Sequence, residues 1–282
     1  MSSPDSTAKV CALCETLGRL RQSHIVPKFV FDWVKRQGGG RIRGGTEPNI
    51  PLQDGPKLPM LCSSCEARFS AWEREAANRV FRVVHSSPSS RFEYGEWFLP
   101  FAVSVSFRVL KYYRGWVEAE PDRAPQIVAH VDSALSEWAA YLLGKRKLLG
   151  PYEHHCIVLP SEAPASPEGH TLRHFFEGVV DFQPAVAAPD GSTVVITKMC
   201  KLWIVGIVKR GKNSQWTNTR IAAKGGVFTS PFAMPTWFVD YLGSRFAAAK
   251  SQALRLTERQ RTLLWEEARQ NGWLPSGGGR PN

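Results

Sequence analysis

The chain has 282 residues, 43% hydrophobic and 22% charged, proportions near globular averages that exclude a long disordered chain and a coiled coil. No apolar run reaches the ~20 residues of a membrane-spanning helix; the nearest, Trp97 to Phe107, contains a proline and two serines. Thirty-six Lys and Arg against 25 Asp and Glu leave +11, an excess that concentrates polyanions around the protein, so nucleic acid is the first partner to expect. The opening MSSPDSTAK has neither the basic nor the apolar part of a secretory signal, and a cytoplasmic protein without a membrane partner is expected.

Six cysteines are few for this length and suit a reducing compartment, so their spacing is what matters. Cys11 and Cys14 form one C-x-x-C, and Cys62 and Cys65 form another. Two such knuckles let four soft thiolates converge on one tetrahedral ion, and a structural Zn²⁺ is the expected occupant. A redox C-x-x-C would occur once. Between the knuckles, Lys28 to Arg36 is apolar at 29, 30, 33 and 34, which predicts a short helix stopped by Gly38 to Gly40. The Gly- and Pro-rich segment from Arg41 to Leu58 reads as a flexible loop carrying Arg41 and Arg43 toward solvent, where they could follow a phosphate backbone. From Cys65 to about His85, apolar positions at 69, 72, 76, 80, 83 and 84 predict one long helix. The Ser- and Pro-rich run after it ends a zinc module at residues 1–85.

Residues 86–150 form a helical connector, with helices predicted over Trp97 to Tyr113 and Ile127 to Leu143. Residues 151–275 form an α+β unit. Its β-branched runs at 156–159, 179–182, 192–197 and 202–208 alternate with turn clusters as antiparallel strands do, and the last two form a hairpin about Lys198 to Lys201. Helices follow from about Pro235 to Ala253 and, behind a Thr257/Gln260 capping box, through Asn271. The tail 276–282 is expected to be disordered. Cys156 and Cys200 read as small buried residues, and the pairs His154/His155 and His170/His174 as structural.

Gly191 to Val239 contains no acidic residue and seven cations: Lys198, Lys201, Lys209, Arg210, Lys212, Arg220 and Lys224. This is the basic footprint, and the turn carrying Lys209, Arg210 and Lys212 is the expected phosphate contact. Trp203 and Trp216 interleave with these cations as bases and phosphates would require, although Trp203, flanked by apolar residues, reads as core.

The order Cys11-x-x-Cys14, then Ser23 and His24 to Pro27, then Leu61-Cys62-x-x-Cys65-Glu66 opening a helix resembles the zinc-stabilised HNH endonucleases and their treble-clef relatives, among them a bacterial branch with a Ser-His-Ile-x-Pro pattern. The resemblance spans about residues 8 to 85. It implies that His24 is a general base acting on water and that a catalytic Mg²⁺ or Mn²⁺ sits beside the scissile phosphate. Ser23 stands where the family places a metal-binding Asp, Glu66 where its helix offers His or Asn, and Asn49 is the nearby candidate for the middle asparagine. The alternative for His24 is a structural histidine locking the loop. Glu73, seven residues after Glu66, shares its helix face and reads as a solvated or Arg-paired carboxylate.

The expected architecture is therefore α+β: an HNH or treble-clef-like zinc module, a helical connector, and a C-terminal antiparallel sheet with flanking helices. The expected function is nucleic-acid binding with metal-dependent phosphodiester cleavage by His24, Glu66 and Ser23. The alternative is a non-catalytic zinc-binding module that recognises nucleic acid or a protein partner.

Overall fold

A computed structural model describes residues 8–37, 42–44, 47–87, 91–118, 125–159, 174–212, 215–229 and 231–270. Its centre is a four-stranded antiparallel sheet. The strands are β8 (Glu153–Val158), β9 (Val180–Ala187), β10 (Thr193–Met199) and β11 (Leu202–Lys209), in the order β8-β11-β10-β9. Side chains alternate across the pleat. Cys156, Val195, Met199, Leu202 and Ile204 enter one core, while Ile157, Val194, Ile196, Trp203, Val205 and Ile207 enter a second. With both faces covered, the strands read as nearly continuous apolar runs.

The predicted β10–β11 hairpin forms, but its turn is tighter than expected. Met199 pairs with Leu202 and Lys198 with Trp203, so only Cys200 and Lys201 lie outside the ladder, with Cys200 at φ 57. Lys198 is therefore a strand residue on the face of Val194 and Ile196.

The first face packs against α4 (Phe98–Glu118) and α5 (Pro125–Leu142). Phe101 through Leu110 are all buried, because α4 lies between the sheet and the segment that carries the paired cysteines and is enclosed on every side. Two terminal helices follow, α6 (Thr236–Leu254) and α7 (Glu258–Gln270). Phe238 of α6 fills the second core, and the Gln260 N–H donates to Thr257 Oγ1 at 3.4 Å, as the capping pattern predicts.

Ahead of α4 come the short pair β1 (Lys9–Val10) and β2 (Leu17–Gly18), then β3 (Arg21–His24) paired with β6 (Lys57–Leu61). Between them lie α1 (Lys28–Gln37), where a helix was predicted, and the small pair β4 (Ile42–Arg43) and β5 (Pro51–Leu52). The segment expected to be a loop thus carries a strand pair and opens the last strand of the module. Arg43 is half-buried, its guanidinium donating to the Pro48 carbonyl at 3.1 Å, rather than directed to solvent. Arg41 lies outside the described residues.

The long helix begins as α2 (Ser63–Ala76), passes through a π turn at Ala77–Phe81 and continues as α3 (Arg82–Ser86). A further antiparallel pair joins β7 (Phe92–Tyr94), ahead of α4, to β12 (Gly226–Phe228), after the central sheet. One apolar core runs from Cys11, Ile25, Leu61 and Phe69 through α4 to Met199, Ile204 and Phe228. No helix among the described residues is long and apolar enough to cross a membrane.

Candidate metal centre and the polar groups around it

The chain from Cys11 to Thr16 folds into a tight knuckle. The Glu15 N–H donates to the Cys11 carbonyl and the Cys11 N–H to the Thr16 carbonyl, both at 3.0 Å, and Glu15 adopts a left-handed φ of 61. The second knuckle is the start of α2, with Cys62 as its N-cap and the Glu66 N–H returning to the Cys62 carbonyl. A backbone bond from Ala12 N–H to the Met60 carbonyl at 2.9 Å brings the knuckles together.

The Sγ atoms of Cys11, Cys14, Cys62 and Cys65 lie within 4.8 Å of one another, with Cys14 and Cys62 at 3.6 Å. The Cys62 N–H points at Cys11 Sγ at 3.3 Å, and Ser64 Oγ stands 3.1 Å from Cys62 Sγ. Ser64, with the Cys65 N–H, lowers the Cys62 thiol to about 6 despite partial burial. Thr16 likewise lowers Cys14, through its side chain and backbone. Four soft donors with no oxygen among them are the set a closed tetrahedral shell uses, and the cluster could hold a structural metal ion such as zinc.

Ser23 and Glu66 come together. Their contact is a closed one: the Ser23 hydroxyl donates to Glu66 Oε2 at 2.6 Å, and Ser23 is fully buried. Glu73 is taken by Arg108 of α4, whose Nη2 lies 2.7 Å from Glu73 Oε1. The same guanidinium donates to the His24 carbonyl at 2.9 Å and lies over the Phe69 ring. His24 is engaged elsewhere, with Nε2 3.0 Å from Asp54 Oδ2 and its ring stacked on Phe31. Gly55 makes room for that stack, since a Cβ there would meet the Phe31 ring at 2.1 Å.

Asp54 is held further by Lys57 at 2.7 Å and by the Gly55 N–H at 2.9 Å. Burial would raise its carboxyl, but hydrogen bonds from Lys57 and His24 outweigh it and hold Asp54 well below the usual carboxylate range. With Asp54 as acceptor, His24 carries its proton on Nε2 and presents Nδ1 as the basic nitrogen. Among the described residues the four cysteines are the sole cluster of three or more His, Cys, Asp or Glu ligand atoms. Beside His24 the described residues supply the single carboxylate of Asp54 rather than a group of three such ligands.

Asn49 has another task. Its side chain donates to the Arg255 carbonyl at 3.1 Å and accepts from the Thr257 N–H at 2.9 Å, clasping the turn between α6 and α7.

The basic footprint is smaller than the sequence predicts. Lys198 is fully buried, its Nζ donating to the carbonyls of Phe175, Val179 and Cys200 beneath the Phe175 and Trp203 rings. Lys201 is buried too, with Glu177 3.5 Å away. Pairing of β8 with β11 brings Glu153 against the acid-free stretch, where Arg210 and Arg220 reach its carboxylate at 2.5 and 3.4 Å. The hydrogen bond from His155, with the two arginines, lowers that carboxyl to about 2 against the effect of burial. Lys209, Lys212 and Lys224 stay exposed and form no ion pair among the described residues.

Trp203 is buried and Trp216 carries the His155 ring on its face, centroids 4.7 Å apart, so neither offers that face to a base. His154 and His155 project to opposite faces, toward Trp138 and Trp216 respectively. His170 lies outside the described residues.

Sequence reading missed Asp54 and Arg108. The Asp54-Gly55 dipeptide signals a turn but not its partner, and Arg108 is visible only as a lone charge in an apolar helix. Fold and site together define an α+β protein with a four-cysteine site able to hold a zinc ion. No family model, curated protein or solved structure matches the chain.

Proposed function

We propose that the chain is a zinc-stabilised nucleic-acid-binding protein whose N-terminal module is built on the plan of the HNH endonucleases, with the metal in a structural role. The observation that carries this reading is the four-thiol cluster clamping the first knuckle to α2, with Lys9, Arg19 and Arg21 exposed beside it. The net charge of +11 and the exposed Lys209, Lys212 and Lys224 extend the same electrostatic attraction beyond the module. A gel-shift comparison of the zinc-loaded wild type with Cys62→Ser/Cys65→Ser tests it. The wild type should carry one zinc and shift both single- and double-stranded probes, and the variant should lose the metal and weaken binding. A metal-free wild type that shifts neither probe would refute the reading.

The His24–Asp54 hydrogen bond favours a second reading, phosphodiester hydrolysis. A carboxylate on Nε2 orients the imidazole and stabilises the cation formed when Nδ1 accepts the proton of an attacking water. Ser23 and Glu66 would then hold the end of β3 against α2 rather than touch substrate. Plasmid nicking abolished by His24→Ala and strongly reduced by Asp54→Asn would support hydrolysis; nicking unchanged in His24→Ala would exclude His24 as the base.

A further inference from the structure

A cavity of about 370 Å³ opens at the beginning of α6, lined by Pro189, Asp190, Gln215, Met234, Pro235 and Trp237 among others. Its volume is at the lower end of the roughly 300–1,000 Å³ usual for small-ligand sites. Trp237 is the aromatic member and its orientation is fixed. The indole N–H donates to Asp190 Oδ2 at 3.1 Å, and Trp216 and Phe238 pack edge-on at 6.1 and 5.5 Å. Asp190 is itself tied down, its other carboxylate oxygen accepting from the Ser192 N–H at 2.9 Å.

The basic turn after β11 is built onto this wall. The Lys212 N–H donates to the Asp190 carbonyl at 2.9 Å, and the Gly211 N–H to Ser192 Oγ at 2.9 Å. A Cβ at Gly211 would lie 2.4 Å from the Asp190 carbonyl oxygen, so the close approach of the turn to the wall requires glycine. The exposed Lys209 and Lys212 flank that residue. Arg210, between them, is drawn to Glu153. A half-buried indole, held by Asp190 and near two exposed lysines that form no ion pair among the described residues, matches the chemistry of a nucleotide unit, with a π-face for stacking and cations for its phosphates.

We propose that this cavity receives one base of a single-stranded nucleic acid, stacked on Trp237, while Lys209 and Lys212 pair with the flanking phosphates. The inference rests on the nucleic-acid-binding reading above and adds the strand form and the place of contact. The apolar Met234, Pro189 and Pro235 suit a base of any identity, so recognition is of an unpaired base rather than of sequence.

Fluorescence anisotropy with a labelled oligothymidylate tests it on the full chain. Trp237→Leu should weaken binding by roughly 5- to 150-fold, the range for one lost stacked base, with an unchanged salt dependence because no phosphate contact is removed. Trp237→Phe should stay within about a few-fold of wild type. Independently of any variant's folding, the wild type should bind an abasic deoxyribose-phosphate oligomer of equal charge more weakly than the thymidylate by a similar factor. Equal affinity for the two oligomers, or a folded Trp237→Leu that binds like wild type, would overturn the stacking site while leaving nucleic-acid binding in place. Adenosine monophosphate binding as tightly as the oligomer would overturn the strand assignment. Absence of binding by the wild type to any nucleic acid would instead remove the underlying reading.

Discussion

Arg108 is a charge at which the cysteine-bearing segment and the helical layer meet, and its removal has a calculable consequence. The side chain is 2% exposed and pairs with Glu73 at 18% exposure, while a second nitrogen of the same fork donates to the His24 carbonyl. Breaking a fully buried pair by deleting one partner costs ~3–5 kcal/mol. Partial exposure of Glu73 lowers that penalty, so Arg108→Met should cost about 2–4 kcal/mol. The double variant Arg108→Met/Glu73→Leu leaves no unpaired charge and should recover at least half of the loss, so with any cost of Glu73→Leu alone added the coupling energy is at least ~1–2 kcal/mol. Arg108→Lys should not rescue, because an ammonium lacks the planar fork that reaches carboxylate and carbonyl together. Urea unfolding of the zinc-loaded wild type and of these three variants, with Glu73→Leu as the second single, supplies the cycle. A single variant costing under about 1 kcal/mol, or a double variant equal to the sum of the singles, would refute a buried, coupled pair.

Other outcomes follow from the same geometry. His85 donates from Nδ1 to the Phe81 carbonyl and accepts the Lys201 N–H at Nε2, which fixes it neutral, and burial lowers both His85 and His154 to about 3. Their folded values lie below the unfolded 6.5, so the stability they permit is complete above that pH and is lost as pH falls through it. The urea-derived stability should fall between about pH 6 and 4.5 by about 1 kcal/mol per pH unit for each such imidazole, with His155 and His174, likewise lowered by desolvation, adding to the trend, and His154→Leu should make the slope shallower. Lys198→Met should cost about 2–4 kcal/mol by stranding three carbonyls yet leave the salt dependence of nucleic-acid binding unchanged; a flatter dependence would mean that Lys198 is a surface cation. Lys209→Ala/Lys212→Ala should reduce the slope of log affinity against log salt by about 1.4 to 1.8, and adding Arg210→Ala should change it little further. X-ray absorption at the zinc edge should give four sulfurs at about 2.3 Å, and nitrogen or oxygen in that shell would contradict the four-cysteine site.

What the sequence discloses and what it conceals divide along physical lines. The four cysteines are legible because two-residue spacing within each knuckle is a local constraint, and four thiolates have few other uses together. The helices α1, α4 and α5 are legible because their apolar periodicity is also local. Lys198 and Lys201 mislead because a formal charge in a window says nothing about the direction of a side chain. The strand runs on through Lys198, its alternation turns the residue into the core, and three carbonyls there accept its protons. Glu153, distant in sequence, neutralises two cations of an acid-free stretch because β8 pairs with β11. Asp54 is concealed for a related reason: its partner His24 is 30 residues away, across a Gly- and Pro-rich segment that offers no periodicity to read. Trp237 is prominent in neither composition nor pattern, and its relation to Lys212 exists only through the Asp190 turn.

The most direct test of the account is an anisotropy titration of the zinc-loaded wild type with a labelled oligonucleotide over a series of salt concentrations. Binding should be present at low salt and weaken linearly on logarithmic axes, with a slope near −2 or steeper as Lys209, Lys212 and the cations beside the knuckle release counterions. No binding at low salt, or an affinity indifferent to salt, would contradict a nucleic-acid-binding protein.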